Sequence, residues 1–139
     1  MTETIFGIIT AVIIIFISRF KPQYLTQKLF AATILVAIAF IYVGFSLKEN
    51  QVSIIVLECG FALLLYIIAI IGYTKNNSLL AYGIMLHGMW DILHHNSFIV
   101  TTNVPGYWPL YCFVIDIIDG IYFLVIFKSQ KMTESFDKK

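Results

Sequence analysis

LHGMWDILHH (86–95) and YCFVIDIIDG (111–120) lie in stretches apolar enough to span a membrane, yet they hold all three histidines and three carboxylates. These are His87, His94, His95, Asp91, Asp116 and Asp119, and Glu58 lies in a third apolar stretch. No lysine or arginine falls within these stretches. An ionisable group inside a bilayer costs at least ~2.5–3.5 kcal/mol on insertion scales, so it marks a functional site by default. Here the excess is negative and lacks a basic side chain to pair with. Protons, the histidines or a bound cation must neutralise it.

The rest of the chain defines the setting. Of 139 residues, 60% are hydrophobic and 12% charged, against about 25% charged in soluble domains. Mean hydropathy is +0.88. The sequence predicts an all-α integral membrane protein, a single transmembrane domain over 1–139 with a polar tail at 128–139. A bilayer core needs roughly 20 apolar residues per helix, and five segments qualify: Ile5–Ser18, Leu29–Leu47, Val52–Tyr73, Leu79–His95 and Tyr107–Phe127. Turn or charge signals separate them at 19–23, 48–51, 74–78 and 96–106. A backbone in lipid must satisfy its own hydrogen bonds, so these are helices.

Eight of nine basic residues share one face of five spans, Lys48 being the exception. The positive-inside rule then puts the N-terminus outside and the C-terminus in the cytoplasm. A cleaved signal peptide is disfavoured, because the positive charges follow the first apolar run. The basic residues form no patch for nucleic acid. Cys59 and Cys112 both lie in predicted spans, which argues against a disulfide.

Helical spacing gathers the polar groups. His87 and Asp91 are i,i+4, and Asp91 stands i,i+3 and i,i+4 from His94 and His95, so all four share one arc. Asp116 and Asp119 are i,i+3 on the next helix, which returns antiparallel. At 1.5 Å per residue, His87 and Asp116 both lie ~13 Å into their spans. The expectation is a polar pocket in the outer half of the bundle, with Glu58 closing a third side.

Three chemistries fit. A metal centre would use His87, Asp91 and Asp116, with His94 or His95 as a further ligand and Asp119 and Glu58 as additional carboxylates. Zinc is the first choice and iron the second. The metal would activate water or polarise a carbonyl, which makes a hydrolase of a lipid-like substrate the leading function. Metal-free acid–base catalysis, such as an isomerisation, is the second. Cation or proton-coupled transport is the third, and five helices would then need a homo-oligomer. Polar side chains that merely hold helices together are the plainest alternative.

Other residues carry less. There is no HExxH. DILHH resembles part of the HxxHH boxes of membrane di-iron desaturases, but three histidines are too few for that site. All three lie on one helix, so no haem is expected. Met85 and Met89 project roughly opposite His87, toward lipid or another helix. Trp90, Tyr107, Trp108 and Tyr111 suit an interfacial aromatic belt, and Trp108 or Tyr111 could also line the pocket mouth. Gly83, Gly88 and Gly120 would let the two polar helices approach closely. Tyr42 and Tyr66 could supply hydroxyls to the pocket, although nothing in the sequence places them there.

HGMWDILHH, GYWPLYCFVIDIIDGIY and IYVGFSL (41–47) together resemble a family of small, uncharacterised bacterial integral membrane proteins with an HGxWDxxHH motif. The resemblance covers most of the chain, implies a bacterial cytoplasmic membrane and implies no activity. The chain does not match membrane zinc hydrolases of the ceramidase and adiponectin-receptor type, which spread their histidines over different helices.

Overall fold

A computed structural model describes the chain except residues 21, 24, 49, 50, 96–99, 101 and 137–139, with the backbone alone at 133–136. Lys21, Lys138 and Lys139, three of the residues behind the expected orientation, therefore lie outside the described residues. The described elements are helices: α1 Thr2–Phe20, α2 Gln27–Ala39, α3 Ile41–Ser46, α4 Val52–Thr74, α5 Ser78–His94 and α6 Trp108–Phe136.

Four helices are long and apolar enough to cross a membrane: Thr2–Phe20, Gln27–Ser46, Val52–Thr74 and Trp108–Met132. The expected fourth span differs. α5 has 17 residues, about 25 Å at the helical rise, and its length leaves it out of that set. Its sequence suits its position: eight of its residues are buried, from Leu80 to His94, and it packs on α2, α4 and α6. Its remaining face exposes Tyr82, Leu86 and Met89, an apolar stripe at helical spacing.

The expected second span is also interrupted. The helix breaks at Phe40 (φ −96°, ψ 1°), whose N–H turns back to the Ile38 carbonyl. Beyond the break, α3 buries Tyr42 and Ser46. Ahead of it, α2 starts on Thr26, whose side-chain oxygen accepts from the Leu29 N–H at 3.1 Å, satisfying one of the free amides of the first turn.

Small residues set the packing. Ala31, Ala39, Ala62, Ala69 and Ala81 join Leu35, Leu65, Leu80, Ile84, Phe123 and Phe127 in one apolar core. Without a hydrophobic drive between helices in lipid, close van der Waals approach holds them together. Two glycines bring α5 and α6 together, as the sequence suggested. A Cβ on Gly120 would stand 2.4 Å from Met85 Cγ, and one on Gly88 would stand 3.1 Å from Asp116 Cβ. Gly83 instead faces Leu35 and Ile68, so it serves α2 and α4.

α1 packs mainly on α6. Gly7 meets Tyr111 and Val114, Thr10 shares a 2.9 Å hydrogen bond with Tyr111, and Ser18 one of 2.7 Å with Tyr122. Its other face exposes Ile5, Phe6, Ile9, Ile13 and Phe16, a surface suited to lipid.

Candidate metal centre

His87 and Gly88 are consecutive, and this is why the centre forms. The glycine lets α6 approach, and the neighbouring imidazole reaches Asp116. His87 Nδ1 lies 2.6 Å from Asp116 Oδ2 and 3.6 Å from Asp91 Oδ2. His87, Asp91 and Asp116 each offer a ligand atom, all within 4.8 Å of one another, and could hold a metal ion. They are 1%, 0% and 2% exposed.

Two ligand atoms on one tetrahedral zinc stand roughly 3.3 Å apart, from bonds of about 2.0 Å. The observed 2.6 and 3.6 Å bracket that separation. The shorter one is a hydrogen-bond length, with a proton where a metal would sit. Charge fits as well. Two ionised aspartates, a neutral imidazole and one divalent cation sum to zero, which a low-dielectric interior favours. Among the described residues, Asp91 Oδ2 and His87 Nε2 have no hydrogen-bond partner; the Ile38 carbonyl lies beside the His87 ring, the type of group that commonly orients a ligating histidine.

Tyr42 links this centre to a second cluster. Its hydroxyl donates to Asp91 Oδ1 at 2.8 Å, and its ring stacks on His94 at 4.0 Å. His94 Nε2 lies 2.7 Å from Glu58 Oε1 and His94 Nδ1 lies 2.9 Å from the Trp90 carbonyl. Both ring nitrogens of His94 thus face oxygen, the Trp90 carbonyl on one side and the Glu58 carboxyl on the other. Glu58 takes two more donors, the Trp90 indole at 3.1 Å and the Thr102 hydroxyl. A carboxylate with three donors is well compensated. The shortage of positive charge therefore falls on Asp91, Asp116 and Asp119.

The residues expected from sequence thus separate. His87, Asp91 and Asp116 come together. Glu58 and His94 form the adjacent pair, so α4 faces α5. Asp119 is 1% exposed, and neither of its oxygens has a hydrogen-bond partner. It lies near enough to Asp116 to feel its charge, but outside the three-residue group. His95 caps α5 near Glu3, also outside that group. Both cysteines are free thiols.

Two participants, Trp90 and Thr102, were not connected to the site in the sequence, and a third, Tyr42, was offered only as a possible hydroxyl. Trp90 fitted an aromatic belt, but it holds Glu58 and stacks on Phe61 at 4.0 Å; its i,i+4 spacing from His94 was the available signal. Tyr42 was a hydroxyl without a place, and a tyrosine mid-span needs a partner. Thr102 follows the helix and gave no sign.

Fold and site define a class: an all-helical, membrane-type bundle with a buried imidazole–dicarboxylate group at its centre. The chain belongs to the family of unknown function DUF6010, whose match covers residues 2–129. No curated protein and no solved structure matches it.

Proposed function

We propose that this chain is an intramembrane metal-dependent enzyme, a hydrolase of a lipid-like substrate, with His87, Asp91 and Asp116 as metal ligands. The observation that carries the reading is three buried ligand atoms within 4.8 Å in a bundle whose membrane-depth carboxylates have no lysine or arginine partner among the described residues. Zinc is the first candidate and iron the second. Three protein ligands leave a position for water, as catalytic zinc sites do. The ion would supply a bound hydroxide or a polarised carbonyl.

The chain's own residues do the rest. Tyr42 fixes Asp91 through its hydroxyl. Glu58 holds His94 beneath the Tyr42 ring, and Asp119 is a carboxylate close to the reacting region. The basic residues support an outside N-terminus when α5 crosses with the four longer helices, the family resemblance supports a bacterial cytoplasmic membrane, and the apolar face of α1 supports a substrate drawn from the bilayer.

The test is turnover of a panel of lipid esters and amides by the detergent-purified chain, after metal removal and after zinc or iron is restored. The reading expects turnover that follows the metal and disappears in His87→Ala. Turnover indifferent to both would refute it. One distance favours a second reading: the 2.6 Å His87–Asp116 contact also suits a proton shared in metal-free acid–base chemistry, which would survive chelation.

A further inference from the structure

A cavity of about 570 Å³ lies between the start of α1 and the start of α6, lined among others by Phe6, Thr10, Tyr107, Trp108, Tyr111 and Glu3. Four aromatic rings and one carboxylate surround it, and none of its described lining residues is basic. We propose that this cavity binds the quaternary ammonium headgroup of a membrane lipid.

The chemistry selects the cation. Aromatic faces attract a cation that loses little hydration on leaving water, and quaternary ammonium ligands are the main case. Trp108 lies 5.9 Å from Tyr111 and 6.5 Å from Tyr107, ring centre to ring centre, so the rings present several faces to one volume. Glu3 supplies the opposite charge. Its ion-pair partner, the Met1 ammonium, is fully exposed, and such pairs are weak in water.

The placement selects a lipid over a free solute. Phe6 belongs both to the cavity and to the exposed apolar face of α1, beside Ile5 and Ile9. A headgroup seated here would have its chains on that face. Tryptophan and tyrosine sit at headgroup level in membrane proteins. A chain of ring contacts joins the cavity to the candidate metal centre: Trp108 to Phe45 at 5.5 Å, Phe45 to Tyr42 at 6.3 Å and Tyr42 to His87 at 5.8 Å. If the lipid is the substrate, that step rests on the hydrolase reading; the binding itself does not.

The test uses the whole chain purified in detergent. Calorimetry titrates tetramethylammonium against sodium, and native mass spectrometry reads which lipid is retained from a phosphatidylcholine–phosphatidylglycerol mixture. Tetramethylammonium should bind and sodium should not, and phosphatidylcholine should be retained preferentially. Both effects should fall roughly three- to tenfold in Glu3→Gln and in Tyr107→Leu. Tyr107 is 55% exposed, so its loss should leave the melting temperature unchanged. Equal retention of the two lipids, preference for phosphatidylglycerol, or a preference that neither substitution moves overturns the assignment. Tetramethylammonium binding without a lipid preference points to a soluble cation and overturns the lipid source. Repeating the lipid measurement in His87→Ala separates the two readings. Retained lipid preference without metal or turnover concerns the centre alone, whereas lost preference in a metal-loaded wild type concerns the cavity alone.

Discussion

Removing a single oxygen from Tyr42 should weaken the metal centre without touching a ligand. Tyr42→Phe deletes the 2.8 Å hydrogen bond to Asp91 Oδ1 and keeps the ring on His94. Both residues are buried, at 2% and 0% exposure, so water cannot replace the lost donor. The variant leaves Asp91 Oδ1 without its donor, while Oδ2 keeps the 3.6 Å contact with His87 Nδ1. A hydrogen bond to a charged group contributes about 1.5–3 kcal/mol, or roughly 10- to 150-fold at about 1.4 kcal/mol per decade. Removal of groups that orient metal ligands typically costs about 10–100-fold in affinity, so the two routes agree. The assay is competition against a chelator of known affinity, with zinc and then iron, in wild type and Tyr42→Phe. The reasoning predicts weakening of at least about tenfold, with helicity retained. An affinity within about threefold of wild type would show that Asp91 is not a ligand or that Tyr42 does not hold it.

Other perturbations probe separate parts of the account. Glu58→Gln removes one member of the buried pair with His94 and should destabilise the fold by about 3–5 kcal/mol, read by unfolding in mixed micelles; Glu58→Gln combined with His94→Gln should recover part of that loss. Gly120→Ala puts a carbon 2.4 Å from Met85 Cγ and should cost about 1–3 kcal/mol, with Met85→Ala relieving it. Gly44→Ala, which meets nothing within 4 Å, should be close to neutral in the same assay. His95→Ala should leave metal affinity unchanged, and a large loss on chelator competition would move His95 into the centre.

Much of this architecture could be read from the sequence. Long apolar runs gave the four helices long enough to cross, because a bilayer imposes one length on them. His87 and Asp91 share a face by helical spacing, and Asp116 joins them because a short connection returns α6 beside α5. Other features depend on packing that no single segment encodes. The break at Phe40 has neither proline nor glycine to announce it, yet it brings Tyr42 to Asp91. The division of seven ionisable residues into a metal-type group, a compensated Glu58–His94 pair and the separate Asp119 and His95 follows from helix rotation. Spacing within one helix gives relative angles, but not which neighbour each angle faces. Thr102 reaches Glu58 from a connection with no periodicity to read.

Elemental analysis of the purified chain tests the central claim most directly, with wild type beside His87→Ala and Asp116→Asn after incubation with zinc and iron and removal of free metal. The account predicts about one transition-metal ion per wild-type chain and little in either variant, with the fold intact. A wild-type chain without stoichiometric metal, or metal retained equally by both variants, would contradict it.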